Sequence, residues 1–155
     1  MCRVITSSNN FAIYLTRKTI QGGFTINVTK LQKMLFACYG HFLAESEDKL
    51  FDEHPEAWQY GPVFPSVRAN YDNILQIACQ TMNDEEPAWA KETPLVGEVV
   101  DFVLSHVGSW TASQLVTWSH QKGSPWSVTT HNGDIEYLGL IIMDDVIRKY
   151  FSDEG

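Results

Sequence analysis

Cys38, His41 and His120 are the residues whose types and spacing could do chemistry. Cys38 with either histidine would be the thiol and base of a cysteine hydrolase, which needs a thiolate in an electropositive, partly exposed pocket. Cys38 and His41 also share a helix face at i, i+3, a spacing that suits two metal ligands, but no second Cys or His pair at ligand spacing stands elsewhere. Cys38 falls on the most apolar stripe in the chain, where a thiol behaves as a small hydrophobe. There is no Gly-rich phosphate loop, no nucleophile elbow and no paired-carboxylate signature. The expectation is a protein that is not an enzyme and holds no metal or cofactor. The competing class is an enzyme on Cys38 or His120, and it requires a thiol that solvent can reach.

Three other groups ask for an explanation. Lys30 and Lys33 fall in the first turn of an apolar helix, where positive charge opposes the helix dipole. Either an acid or a partner neutralises them, or the turn is exposed and their stems cover apolar surface. In WQYGPVFP, residues 58–65, Pro62 stiffens a loop carrying Trp58, Tyr60 and Phe64, which are either binding anchors or plugs in the core. In SHQKGSPW, residues 119–126, His120 at the end of a helix is expected to bond the last free carbonyls there, the alternative being that it faces a partner, and Trp126 is left open between core and binding.

The elements that must position these groups are mostly helices. A first helix is expected over residues 8–20, capped by Ser8 or Asn9 and stopped by Gly22 and Gly23. A second opens at Thr29, with Gln32 three residues on completing a capping box. Its stripe of Leu31, Met34, Leu35, Cys38 and Phe42, widened by Phe36, Tyr39 and Leu43, marks it as the central buried helix. Ala37, Gly40 and Ala44 give it a small-residue face for a crossing helix. Residues 49–60 read as two extended pieces, around Leu50–Phe51 and Ala57–Tyr60, forming a small β-hairpin. Pro65 opens a third helix running through Ala78, and Pro94 a fourth that Gly108 ends. Thr111 with Gln114 starts a fifth, and a closing helix runs from near Asp144 to Phe151. The acidic NDEEPAWAKETP, residues 83–94, is expected to be an exposed connection. The fold class is therefore mainly α (α+β): one compact domain, residues 1–155, of about six helices with a small β-hairpin.

With 155 residues and 44% hydrophobic content the chain can build one core without staples. Eleven basic against nineteen acidic residues give a net charge of −8 without a basic cluster, a field that repels nucleic acid and attracts a basic protein surface. No apolar run approaches the roughly 20 residues of a membrane span, and no signal peptide opens the sequence, so a cytoplasmic location is expected. Cys2, Cys38 and Cys79 are expected to be reduced thiols, two of them in apolar helical contexts.

In KLQKMLFACYGHFLA (30–44), AWQYGPVFPSVRANY (57–71) and LVTWSHQKGSPW (115–126), the chain resembles the Panacea domain, the SocA-like or phage-associated family of bacterial antitoxins. Order and spacing match over most of the chain, and the three segments together are specific where none is alone. Met34, Phe36 and Gln121 depart from the family's commonest pattern, the last removing an acid that often follows the histidine. The resemblance implies a mostly helical domain with a small β element that acts as an antitoxin on a cognate toxin protein encoded beside it. One branch resembles a proteolytic adaptor that delivers a toxin to an energy-dependent protease complex. Others are orphan phage or prophage interaction proteins. Carried over as partner-binding positions are Lys30, Gln32, Lys33, Trp58, Tyr60, Gly61, Pro62, Val63, Ser119, His120 and Trp126, with Pro125 also in the signature. Each of them either contacts the toxin or maintains the fold.

Overall fold

The computed structural model describes residues 2–154. Its helices, in chain order, are α1 (Ser8–Gln21), α2 (Val28–Glu45), α3 (Pro65–Ala69), α4 (Tyr71–Gln80), α5 (Ala88–Glu92), α6 (Pro94–Val107), α7 (Ala112–Ser119), α8 (Pro125–Thr129) and α9 (Asp144–Glu154). Between α2 and α3 stands an antiparallel hairpin of β1 (Glu56–Trp58) and β2 (Gly61–Val63), in the register Glu56 to Val63, Ala57 to Pro62 and Trp58 to Gly61. The protein is mainly helical with one small sheet, as its sequence pattern requires.

α2 is the axis. Leu31, Met34, Leu35, Cys38, Tyr39 and Phe42 are all buried, and α6, α7, α9 and β2 pack around them. Gly40 lets α9 cross closely, because a Cβ there would overlap the Phe151 ring. Losing that contact would leave a hole in the centre, which outweighs the roughly 1 kcal/mol a mid-helix glycine costs.

Several element boundaries differ from expectation. Ser7, one residue before the expected caps, starts α1 by accepting from the Asn10 N–H. α2 is capped by Asn27, whose side chain accepts from the Lys30 N–H, so the expected Thr29–Gln32 box does not form. Gln32 is drawn inward instead, to a task described below. The expected third helix breaks at Asn70 into α3 and α4. Residues 83–94 are largely exposed, as expected, but are more than a connection: they hold α5, Trp89 packs on the core, and Glu86 pairs with Arg17 and Lys18 at 3.5 and 2.7 Å. The hairpin forms one step later than expected. Leu50 and Phe51 go into the core, and Ala57 and Trp58 pair with the following Gly61 and Pro62. The Thr111–Gln114 box and the Pro94 and Gly108 ends of α6 are found as expected.

Candidate functional site

The three sequence segments singled out above meet around the hairpin. The start of α2 lies beneath β2, and the end of α7 with the start of α8 closes one side. Pro62 faces Ala57 at a position where the strand pair exchanges no hydrogen bond, since the Ala57 N–H and C=O bond to Leu140 and Gly139 on the other side. A proline, which has no N–H to give, is tolerated there. Its carbonyl points away from β1 and accepts from the Lys33 Nζ at 3.2 Å.

Beyond β2, the Gln32 side chain binds both backbone groups of Phe64. Its Oε1 accepts from the Phe64 N–H at 2.8 Å and its Nε2 donates to the Phe64 carbonyl at 3.3 Å. Lys33 and Gln32 thus stand where a neighbouring strand would: the Pro62 C=O and the Phe64 N–H would otherwise each cost about 1–3 kcal/mol, whereas the Phe64 C=O also receives the Arg68 N–H at 3.1 Å. Gly61 is fixed by the same crowding. It sits at φ +111°, and a Cβ would meet the Ser119 Oγ at 2.5 Å and the Lys33 Cε at 2.7 Å.

Both lysines are buried, Lys30 at 2% and Lys33 at 1% exposure, so the expected alternative of an exposed, solvated turn does not hold. No acid neutralises either among the described ion pairs. Lys30 Nζ donates to the Gly108 carbonyl at 2.7 Å, at the C-terminal end of α6 where the helix dipole favours a cation. Desolvation lowers its pKa. Lys33 has only the Pro62 carbonyl, and burial pushes its pKa down to about 8.

α7 and α8 hold the hairpin from the side. Ser124 caps α8 and donates to the Ser119 carbonyl at 2.8 Å, while Pro125 occupies the first helical turn. That places Trp126 so that its Nε1 donates to the Trp58 carbonyl at 2.7 Å. His120 stacks on Trp126 with ring centroids 3.9 Å apart. Its pKa is lowered first by burial and then by the charge of Lys33, against a raising contact with the Gln59 backbone. The expected bond from His120 to the last carbonyls of α7 is made by its backbone N–H, not its ring.

Of the eleven candidate positions, Lys30, Gln32, Lys33, Gly61, Pro62, Val63, Ser119 and Trp126 are buried. Trp58 and His120 are half-buried, and Tyr60, at the hairpin turn, is 64% exposed. The support under the hairpin also needs Asn27 and Ser124, which were not singled out, and Phe64, whose ring is a plug in the core rather than a binding anchor. Ser124 was legible, since a serine before a proline is the pairing of an N-cap with a first-turn proline.

A chain with these three segments folded into one seat belongs to a known family. Residues 31–127 match the model of the antitoxin SocA-like, Panacea domain. This protein is a member of the SocA-like Panacea family. The chain is similar to the Antitoxin SocA of Caulobacter vibrioides (strain NA1000 / CB15N), at 33% identity over 139 residues, covering 78% of this chain and 69% of that one. No solved structure matches.

The groups that could do other chemistry are placed elsewhere. Cys38 is fully buried and its thiol is raised well above the ordinary range by desolvation, the opposite of an activated nucleophile. Cys79, expected in an apolar context, is exposed on α4. His41 lies in an apolar cleft of about 590 Å³ between α2, α6, α7 and α9, where it and His106 flank the Phe102 ring. Among the described residues no three His, Cys, Asp or Glu side chains converge as a metal would require. No helix among them is long and apolar enough to cross a membrane.

Proposed function

We propose that this protein is the antitoxin of a toxin–antitoxin pair and neutralises a cognate protein toxin, encoded beside it, by direct contact. Family membership supports the antitoxin role. The observation that carries the mode of action is the seat itself: Lys33, Gln32 and Trp126 hold by hydrogen bonds a hairpin that presents Tyr60 to solvent. A stiff loop with an amphipathic ring at its tip loses little entropy on binding, which is the property a contact surface needs. In this reading Trp58, Tyr60 and His120 touch the toxin. Lys30, Gln32, Lys33, Gly61, Pro62, Val63, Ser119 and Trp126 position them. The net charge of −8 favours a toxin with a basic face.

The test is co-expression of the chain with the product of each adjacent reading frame, in hosts with and without their energy-dependent proteases. Growth rescue with a stable complex in both hosts is expected. Rescue only in the protease-proficient host, with the partner vanishing, would replace blocking by delivery to a protease. Absence of any toxic or bound neighbour would overturn the antitoxin reading.

A further inference from the structure

The opposite side of the small sheet has no counterpart to Lys33 and Gln32. Residues 139–142 lie antiparallel along the outer side of β1. The Gly139 N–H donates to the Ala57 carbonyl, the Ala57 N–H to the Leu140 carbonyl at 2.8 Å, and the Ile142 N–H to the Pro55 carbonyl at 2.9 Å. Gly139 at φ +90° opposite Ala57 makes a bulge, and Glu56 and Ile141 face each other as the non-bonded pair. The Ile141 N–H and C=O therefore point outward, and neither meets a hydrogen-bond partner among the described residues.

Side chains along this edge are apolar where an unpaired edge is usually charged or blocked. Of the eight large hydrophobic residues exposed among the described residues, Ile135, Leu140, Ile141 and Met143 fall within one nine-residue stretch. Its C-terminal end is tied down, as Ile142 is buried and Asp144 receives the Tyr39 hydroxyl at 2.6 Å and Lys49 at 3.0 Å. Between Lys122 and Arg148 the chain carries Asp134, Glu136, Asp144 and Asp145 and no Lys or Arg.

We infer that residues 139–143 are an open sheet edge that captures an extended segment of the toxin as a further strand. The inference rests on the antitoxin reading above and names how contact is made. The incoming segment satisfies the Ile141 N–H and C=O with its own backbone and lays apolar side chains on Leu140, Ile141 and Met143. It carries Lys or Arg at its flanks, opposite Asp134 and Glu136 on one side and Asp145 on the other, Asp144 being taken up by Lys49 and Tyr39. Main-chain pairing supplies affinity and the side-chain contacts supply selectivity, as in other strand additions.

The probe is the adjacent reading-frame product that the full-length native chain neutralises. Ile141→Pro removes an outward N–H that makes no internal bond, and Leu140→Lys charges the edge, so both variants are expected to melt within a few degrees of the native chain. Each is expected to lower retention of the probe at least tenfold, and in the native complex the Ile141 amide is expected to exchange at least tenfold more slowly than in the free chain. If the native chain retains a toxic neighbour while both variants retain it equally and the Ile141 amide stays unprotected, the edge proposal alone is overturned. If Ile141→Pro turns a native dimer into a monomer without loss of the probe, the edge belongs to a second copy, and the proposal is again overturned. If the native chain binds no adjacent product, the antitoxin reading falls and this inference with it.

Discussion

On the inner side of the small sheet, the Pro62 carbonyl and both backbone groups of Phe64 are taken up by Lys33 and Gln32 reaching from α2. On the outer side, the Ile141 N–H and C=O have no partner among the described residues and are ringed by exposed Leu140, Ile141 and Met143. One edge is finished by side chains in place of a strand, and the other is left for something else to finish. The difference separates two kinds of residue. Those that make up the family signature mostly build the support, whereas the open edge is made of aliphatic residues that belong to no motif.

The largest expected effect would break the inner side outright. Gly61→Ala puts a Cβ into the Ser119 Oγ and Lys33 Cε at a left-handed backbone position, and should destabilise the fold by about 3 kcal/mol in chemical denaturation. Gln32→Leu keeps the volume but orphans the Phe64 N–H, while the Phe64 C=O keeps the Arg68 N–H at 3.1 Å, and should cost about 2 kcal/mol by the same measurement. The variant would also show whether the hairpin loosens locally, as faster amide exchange at Phe64.

Lys33 gives a sharper, pH-dependent test. Its folded pKa of about 8 lies below the unfolded value of 10.5, so between those values the unfolded chain holds more protons and stability rises with pH. Below about 8 both states are protonated and the contribution is flat. Burial raises the Cys38 thiol, which works the other way as pH passes its unfolded value. The informative quantity is therefore the difference between the native chain and Lys33→Met. From pH 7 to pH 9 the native chain should gain about 1 kcal/mol relative to the variant, from the shift of Lys33 alone. Equal slopes would mean that the folded chain keeps the Lys33 amine protonated up to its ordinary range, so that burial does not depress it.

The smallest expected effect is on the exposed side. Tyr60→Glu should change stability by less than about 0.5 kcal/mol, as for most surface changes, whatever it does to binding.

The sequence made the central helix plain, because an apolar stripe as wide as that of Leu31 to Phe42 has no place but the interior. It also located α6 and α7, whose ends are fixed by local chemistry at Pro94, Gly108 and the Thr111–Gln114 pair. Where distant partners compete, local signals misled. Gln32 has the spacing of a capping-box residue, yet the Phe64 backbone takes its amide and Asn27 supplies the cap. Ala57 and Trp58 have the pattern of a second strand, yet they form the first, because Leu50 and Phe51 are drawn into the core. The acidic 83–94 segment is exposed as its composition indicates, but its helix and its anchoring were not visible, since nothing local shows that Arg17 and Lys18 wait for Glu86. The signature residues were visible in the sequence as a group, but their burial was not: a lysine pair in a first turn looks the same whether its amines reach water or a carbonyl 78 residues away. The open edge could not be read at all, because it depends on which backbone groups β1 leaves over.

The most direct test compares two charged substitutions at exposed aromatic residues of different elements, Tyr60→Glu at the hairpin tip and Phe102→Glu beside the cleft of α6. Each is co-expressed with the neighbouring product that the native chain neutralises. Tyr60→Glu is expected to lose growth rescue and co-purification while remaining folded, and Phe102→Glu to keep both. Rescue retained by Tyr60→Glu and lost by Phe102→Glu would contradict that expectation and move the contact surface to the cleft.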